Sequence, residues 1–165
     1  IEKALANPQC NWVAAEIRFD RVRKIWSKAK NLNLPNLLIV FGDARTFGKE
    51  YVPNSSISAL YINFPDPWPK KRHAKHRIIS DSFMQDASVM IKPEGKLVFV
   101  TDDEDYSNLF LELAQRCIDR FTPICPEGKM IPPAEYGTSF FEELFRSQGK
   151  PILYHELTKN PCAHS

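Results

Sequence analysis

The sequence lacks the features that would place the protein in a membrane or in an oxidising compartment. No apolar run among its 165 residues approaches the roughly 18 residues of a membrane-spanning helix, and no stretch has the pattern of a signal peptide. Four cysteines, Cys10, Cys117, Cys125 and Cys162, form no close pair. We therefore expect reduced thiols in a cytoplasmic protein with no membrane partner.

Metal-ligating patterns are also scarce. His73 and His76 have the i, i+3 spacing of a ligand pair on a helix. Their neighbours are Lys and Arg, which would repel a cation, and no third ligand lies near them in the sequence. The sequence thus predicts a protein without a metal site.

Excess positive charge is confined to one segment of the chain. Five of the 22 Lys and Arg residues fall within residues 70–77, which leaves 17 basic against 20 acidic residues elsewhere, a net charge of −3. We call residues 70–77 the basic segment. Such a segment on a mildly acidic protein favours a local contact with nucleic acid, although a solvated face is the common alternative.

Strands and helices alternate along the chain, so the sequence predicts a doubly wound, mostly parallel α/β sheet. The predicted strands are 12–17, 37–41, 59–64, 96–101, 121–125 and 152–157. The predicted helices are 1–7, 19–32, 80–91, 104–120 and 140–148, and a turn is predicted at Pro93-Glu94-Gly95. Ser80 or Asp81 is the expected N-cap of the third helix.

Acidic residues lie at or just beyond the ends of four predicted strands, at Glu16, Asp43, Asp66 and Asp102. Any one of them alone is typical of a helix cap or a solvated turn. Right-handed crossovers bring the carboxyl ends of parallel strands to one side of a sheet, where open α/β folds bind their ligands. Four acids at such an edge therefore indicate a binding crevice.

Asp66 lies on a loop that the sequence makes stiff. Pro65, Pro67 and Pro69 each fix φ and push the preceding residue towards extended geometry. Trp68 and the basic segment follow directly. An immobilised carboxylate beside five cations indicates a site for a ligand with a phosphate backbone rather than for a small molecule.

The ten residues 64–73, Phe-Pro-Asp-Pro-Trp-Pro-Lys-Lys-Arg-His, resemble the signature of the tRNA (guanine-N7-)-methyltransferases. The similarity continues through Glu16, Asp43, Asp102 and residues 139–142, Ser-Phe-Phe-Glu. It implies an enzyme that transfers a methyl group from S-adenosylmethionine to N7 of a guanine in the variable loop of tRNA (position 46), giving 7-methylguanosine.

The resemblance also implies a class I, Rossmann-like methyltransferase fold with seven strands, of which the last is antiparallel. In that fold a glycine-rich cofactor loop follows the first strand, so that the backbone can approach the cofactor closely. The first strand and the glycine-rich loop are absent from this chain, which opens in what resembles the next helix. We therefore expect residues 1–165 to be a single methyltransferase domain that is incomplete at its N-terminus.

The resemblance assigns three acids to the cofactor. It places Glu16 on the ribose of S-adenosylmethionine and Asp43 beside the adenine, and it makes Asp66 both catalytic and cofactor-binding. Because guanine N7 carries a free lone pair, no general base is required. We therefore interpret Asp66 as a carboxylate that orients the reactants and stabilises positive charge developing on the base.

The resemblance assigns further residues to the tRNA substrate: Lys70, Arg72, His73, Lys75, His76, Arg77, Asp102, Thr138, Ser139 and Glu142. The C-terminal match is looser than the rest. The family pattern is Thr, any residue, an aromatic residue and Glu, whereas Ser139 takes the Thr place here and Thr138 lies one residue early. Which of the two hydroxyls contacts the substrate stays open.

Two other functions remain alternatives. One is an amino-directed nucleic-acid methyltransferase, whose Asp/Asn-Pro-Pro-aromatic motif the sequence Phe64-Pro65-Asp66-Pro67-Trp68 matches only in part. The other is a tRNA-binding module without catalysis, although a pure binder has no use for acids that repel phosphate. Some members of the family act alone and others with a second protein, so a second subunit or a homodimer also stays open.

Overall fold

The computed structural model describes residues 1–125, 136 and 140–161, except for the side chains of Lys71 and Phe140. Helices and strands alternate as predicted. The helices are α1 Glu2–Ala6, α2 Phe19–Asn31, α3 Ala44–Tyr51, α4 Asp81–Met90, α5 Glu104–Arg116 and α6 Phe140–Ser147, with a 3₁₀-helix at Lys71–His76. The strands are β1 Trp12–Glu16, β2 Leu37–Phe41, β3 Ile57–Asn63, β4 Ile91–Thr101, β5 Phe121–Pro123 and β6 Leu153–Lys159.

The chain divides into two compact units. The first contains Ile1–Val52 and Tyr136, and the second contains residues 53–125 and 140–161. The prediction of a single domain over residues 1–165 is not tested by this division and stays a prediction.

A two-stranded parallel sheet forms the centre of the first unit. β1 and β2 pair in register from Trp12 opposite Leu37 to Glu16 opposite Phe41. The sequence of β2 is a continuous run of β-branched and large apolar residues, which is typical of a parallel strand. Because the strands are parallel, their carboxyl ends lie at the same end of this sheet.

The second unit contains a four-stranded sheet in the order β3–β4–β6–β5. β3 and β4 are parallel, with Asn63 opposite Val100, whereas β6 is antiparallel to both β4 and β5. The prediction that the last strand is antiparallel is therefore confirmed. β5 lies at an edge of the sheet, which is a position that tolerates Pro123 although proline has no N–H to donate to a neighbouring strand. The described residues form six strands in two sheets, so the seven-stranded sheet is not confirmed.

The core of the second unit lies between this sheet and helices α4 and α5. Phe99 of β4 is fully buried and stacks on Phe110 of α5, with ring centroids 4.7 Å apart. Met84 and Ala87 of α4 are also fully buried. Ser80 is the N-cap of α4, as one of the two predicted candidates, because its Oγ accepts a hydrogen bond from the backbone N–H of Phe83.

The prediction of a turn at Pro93-Glu94-Gly95 before a strand at Lys96 requires correction. β4 already begins at Ile91, which pairs with Ile57, and pairing resumes with Lys96 opposite Ala59. The residues between form a bulge in which Glu94 has φ 64°. A Cβ on Gly95 would lie 2.7 Å from Ile91 Cγ2 and 2.9 Å from the carbonyl oxygen of Lys92. The local turn preference is thus accommodated inside the strand, and only glycine fits there.

Candidate active site

Two of the predicted site residues lie at the carboxyl end of the sheet in the first unit. Glu16 is the last residue of β1, and its carbonyl oxygen accepts a hydrogen bond from the N–H of Gly42. Its side-chain Oε1 accepts a hydrogen bond from the N–H of Arg18 at 2.8 Å, and Oε2 lies 3.6 Å from the guanidinium of Arg21. These contacts hold the carboxylate at the strand end.

Asp43 follows β2 and is the N-cap of α3. Its Oδ1 accepts hydrogen bonds from the N–H of Thr46 at 2.9 Å and from the Thr46 hydroxyl at 3.1 Å. The backbone hydrogen bond from Thr46 is the main cause that lowers the pKa of Asp43, so the carboxylate is ionised at neutral pH. Oδ2 makes no hydrogen bond or ion pair with the described residues, so it can accept a hydrogen bond from a ligand. The helix-cap role and the predicted ligand role are therefore compatible.

Asp66 and Asp102 lie beyond the carboxyl ends of two neighbouring parallel strands in the second unit. Asp66 is on the loop after β3, and Asp102 directly follows β4. The N–H of Phe64 donates to the carbonyl oxygen of Val100, which extends the pairing of the two strands to the base of this loop. The structure therefore brings Asp66 and Asp102 to the same end of one sheet.

We call residues 64–69 the Asp66 loop. The Asp66 side chain is exposed and makes no hydrogen bond or ion pair with any other described residue. Phe64 and Trp68 have φ of 48° and 45°, in the left-handed region. The Phe64 ring packs on α6, where its centroid lies 5.3 Å from that of Phe145 and 6.4 Å from that of Phe141. The loop thus presents an unengaged carboxylate between two residues in the left-handed region, the first of which packs on α6.

The basic segment contains the 3₁₀-helix. Lys70, Arg72 and Lys75 are exposed and form no ion pair with an acidic side chain in the described part of the chain. His73 and His76 pack on Trp68, with ring centroids at 5.7 and 5.2 Å from the indole. The three cations therefore create an uncompensated positive surface next to the Asp66 loop.

Arg77 is held differently from the other cations. Its Nε donates to the carbonyl oxygen of Pro67 at 2.7 Å, and its Nη2 donates to that of Trp68 at 3.2 Å. The guanidinium carbon lies 5.7 Å from the centroid of the Tyr106 ring. Arg77 is thus bound to the protein's own loop rather than facing solvent as Arg72 does.

The carboxylate of Asp102 is already paired within the second unit. Lys150 Nζ lies 2.5 Å from Asp102 Oδ2 and 4.5 Å from the centroid of the Phe145 ring. Sequence reasoning missed Lys150, although Gly149 marks the end of a helix immediately before it. A cation that follows a helix is too common a pattern to identify a partner that lies 48 residues away.

The remaining predicted substrate residues lie near the C-terminal part of the chain. Glu142 is 4% exposed and accepts a hydrogen bond from Arg146 Nε at 3.0 Å, on the helix that packs on Phe64. Thr138 and Ser139 lie outside the described residues. Glu142 is therefore held by its own helix, and the choice between the two hydroxyls stays a prediction.

Other features of the described residues bear on the predictions about metal, membrane and thiols. They contain no group of three or more His, Cys, Asp or Glu side chains placed to hold a metal ion. None of the described helices combines the length and the apolar character needed to cross a lipid bilayer. Cys10, Cys117 and Cys125 are free thiols, and burial raises the pKa of Cys117.

Comparison with known proteins identifies close relatives. Residues 1–154 match a protein family described as "Putative methyltransferase". The chain is 42% identical over 160 residues to the tRNA (guanine-N(7)-)-methyltransferase of Chlamydia caviae, an alignment that covers 96% of this chain and 70% of the relative. These matches extend through both compact units and include every described residue of the candidate site.

Solved structures show the same fold at low sequence identity. The 16S rRNA methyltransferase KamB superposes with a TM-score of 0.63 at 16% identity, covering 97% of this chain and 81% of KamB. SMU.1697c of Streptococcus mutans, a structure in complex with SAH, gives a TM-score of 0.57 at 14% identity, covering 90% of this chain and 76% of that protein. The fold is therefore a Rossmann-like α/β methyltransferase fold.

Proposed function

The chain belongs to the tRNA (guanine-N7-)-methyltransferase family, and we propose that it methylates N7 of a guanine in the variable loop of tRNA, at position 46. It is a methyltransferase that uses S-adenosylmethionine as the methyl donor and tRNA as the acceptor. The observation that carries the assignment of its active site is the exposed, unengaged carboxylate of Asp66 beside the uncompensated cations of the basic segment.

The first unit fits the ribose and adenine parts of the methyl donor. Acidic side chains at strand ends accept hydrogen bonds from ribose hydroxyls in Rossmann-like folds. Glu16 is held at such a strand end, and Asp43 is ionised with one oxygen not engaged by described residues. When bound, S-adenosylmethionine supplies an electrophilic methyl group on a sulfonium sulfur. We assign Glu16 to the ribose and Asp43 to the adenine side.

Asp66 acts by orientation. Guanine N7 is an acceptor with a free lone pair, so the chain needs no residue that removes a proton before methyl transfer. Positioning alone can supply several kcal/mol of rate acceleration. A carboxylate on a fixed loop can hold the guanine and stabilise the positive charge that forms on the methylated base. Since the Asp66 carboxylate makes no hydrogen bond or ion pair with described residues, it is available for both contacts.

The basic segment binds the tRNA backbone. Lys70, Arg72 and Lys75 are exposed and form no ion pairs in the described part of the chain, so each can neutralise a phosphate without breaking an ion pair. Arg72 Nε donates a hydrogen bond to His73 Nε2 at 3.2 Å, which leaves its other guanidinium donors for a phosphate. His73 and His76 pack on Trp68 and so connect the basic segment to the Asp66 loop, of which Trp68 is a member. We assign Asp102, Glu142 and one of Thr138 and Ser139 to contacts with the methylated nucleotide.

Methyl transfer from labelled S-adenosylmethionine to unmodified tRNA tests this function. Label should appear at a guanine that is cleaved as 7-methylguanosine, and mapping places it in the variable loop. Label on an exocyclic amino group would establish the amino-directed alternative. Binding of tRNA without any label, and without measurable affinity for S-adenosylmethionine, would establish the non-catalytic module. The mass of the enzyme–tRNA complex reports whether a second subunit or a homodimer takes part.

The role of Asp66 is tested by Asp66→Asn, with Asp119→Asn as the matched control. Both side chains are exposed, and Asp119 lies on the turn after α5, where its contact is with Arg120. We expect Asp66→Asn to lower kcat about 100- to 1,000-fold, the cost of losing one electrostatic contact to a transition state. Both variants should unfold within about 0.5 kcal/mol of the parent protein, since exposed substitutions rarely change stability more. Near-normal turnover of Asp66→Asn would contradict the assignment.

A further inference from the structure

The Asp66 loop has a backbone conformation that needs external support. Phe64 and Trp68 flank the carboxylate, and both adopt φ near 45°. Residues with a Cβ are disfavoured in this region by about 1–2 kcal/mol each. The loop also contains three prolines, whose missing N–H groups remove backbone donors that could have formed a hydrogen-bonded turn. Contacts from elsewhere in the chain must therefore select this conformation.

Phe64 packs on α6, and Arg77 provides the contacts at the other end of the loop, at Pro67 and Trp68. Its guanidinium donates to two consecutive carbonyl oxygens of the loop, those of Pro67 and Trp68, at 2.7 and 3.2 Å. The backbone of Arg77 is itself anchored, because its N–H donates to the carbonyl oxygen of Ala74 at the end of the 3₁₀-helix. A planar fork of donors suits two neighbouring acceptors, and a lysine ammonium cannot reproduce that geometry.

The Arg77 guanidinium also contacts α5, through the ring of Tyr106. The guanidinium packs 5.7 Å from the ring centroid of Tyr106, which is 1% exposed in the first turn of that helix. The Tyr106 N–H donates to Asp103 Oδ1 at 2.7 Å, and its hydroxyl accepts a hydrogen bond from the N–H of Ile79. Arg77 therefore links the loop after β3 to α5, which begins two residues after Asp102.

The structure separates residues that the sequence presents as one run of cations. Arg72 and Lys75 are exposed, and within the described residues neither has an acidic partner. Arg77 is half-buried, and its guanidinium is engaged by carbonyl oxygens and an aromatic ring. Transferring it to a phosphate would release the Pro67 and Trp68 carbonyls and uncouple the loop from α5.

We propose that Arg77 is a positioning residue of the methyl-transfer site, not a ligand of the tRNA backbone. It holds the Asp66 loop in its left-handed conformation and fixes the loop against Tyr106. The carboxylates of Asp66 and Asp102 thereby keep a constant distance and orientation to each other. This inference rests on the proposed function for its effect on catalysis. Its structural part stands on the contacts of Arg77 alone.

Lysine and alanine variants at Arg77 and Arg72 distinguish the two roles. A phosphate ligand is replaced well by lysine, whereas a fork onto two carbonyl oxygens is not. We expect Arg77→Lys to lower kcat about 10- to 100-fold, the effect of a misplaced reacting group, with the KM for tRNA within about twofold of the parent value. The control Arg23→Lys, at an exposed arginine of α2 that is not assigned to the site, should leave both constants unchanged. Added guanidinium ion should partly restore kcat to Arg77→Ala.

Salt dependence of tRNA binding provides the second measurement. Each lost phosphate contact makes the slope of log K against log salt concentration shallower by about 0.7 to 0.9. Arg72→Ala should show that change, and Arg77→Ala should leave the slope unaltered. An equal change for Arg77→Ala, or normal kcat for Arg77→Lys, would overturn the proposal.

Amide hydrogen exchange tests the proposal independently of activity. Arg77→Lys should speed exchange at Phe64, whose N–H donates to the carbonyl oxygen of Val100 at the base of the loop, at least tenfold relative to Arg72→Lys, because the loop loses both of its carbonyl contacts with Arg77. If the parent enzyme fails to methylate tRNA, the proposed function fails while this measurement still decides the role of Arg77. Unchanged exchange in Arg77→Lys would overturn that role even in an active enzyme.

Discussion

Removing three cations of the basic segment should change the salt dependence of tRNA binding by a calculable amount. The variant is the triple substitution Lys70→Ala, Arg72→Ala and Lys75→Ala. All three side chains are exposed and form no ion pair in the described part of the chain, so the free energy of unfolding should change by less than about 0.5 kcal/mol per site. The change in the salt dependence of binding then reports the lost phosphate contacts.

The magnitude follows from counterion release. With about 0.7 to 0.9 units of slope per phosphate, three lost contacts make the slope of log K against log salt concentration shallower by about 2 to 3. Between 50 and 200 mM salt, the parent enzyme should therefore lose about 20- to 40-fold more tRNA affinity than the triple variant does. Filter binding or fluorescence anisotropy over this salt range measures both slopes.

A control variant removes the same charge elsewhere. Lys24→Ala, Lys28→Ala and Lys49→Ala take three exposed cations from α2 and α3 and change the net charge by the same amount. We expect the control to retain the parent slope. An unchanged slope in the basic-segment variant would remove that segment from the RNA interface. Equal slopes in both triple variants, shallower than the parent slope, would show that net charge rather than a local surface governs binding.

Two other predictions concern single positions in the two units. Asp43→Ala should lower the free energy of unfolding by about 1 kcal/mol through loss of the α3 cap, and should weaken binding of S-adenosylmethionine. Because the pKa of Asp43 is lowered in the folded state, its ionised carboxylate adds to the free energy of unfolding. That stabilisation is fully present above the unfolded-state pKa and is lost as the pH falls through the folded-state pKa. Asp43→Asn should keep the helix cap but lose this dependence of stability on pH. Urea unfolding of both proteins at pH 3 to 7 measures the difference. Identical pH profiles for the parent and Asp43→Asn would refute the prediction. Gly95→Ala should lower the urea midpoint by the equivalent of about 1–3 kcal/mol, because its Cβ would meet Ile91 and Lys92 at less than 3 Å; an unchanged midpoint would show that the bulge adapts.

The elements that sequence reasoning predicted well are those with local signals. The apolar run at β2 and the Ser80 cap each depend on neighbouring residues, and both are found in the structure. The prolines around Asp66 predicted extended geometry for the residues before them, and this prediction is wrong for Phe64 and Trp68. They could not indicate the left-handed φ of Phe64 and Trp68, since that conformation is selected by contacts with other elements.

The features that sequence reasoning missed depend on residues far apart in the chain. The bulge in β4 exists because Ile91 pairs with Ile57, which a local turn signal cannot reveal. Arg77 has the same sequence context as the other cations of its run, and only the path of the 3₁₀-helix turns it towards Tyr106. The contact between Lys150 and Asp102 joins positions 48 residues apart. Side-chain direction and tertiary pairing decide all three.

The position of β6 has a consequence for how the protein is made. β6 is the last strand along the described chain, yet it lies inside the second sheet, between β4 and β5. Lys96 of β4 pairs with Thr158, so one edge of β4 has no partner until the ribosome has synthesised nearly all of the described residues. The nascent second unit therefore exposes one edge of β4, with its apolar run Leu97–Val100, during translation, and such an unpaired edge is prone to aggregation. The time between synthesis of β4 and release of β6 is the interval in which a chaperone would protect this chain.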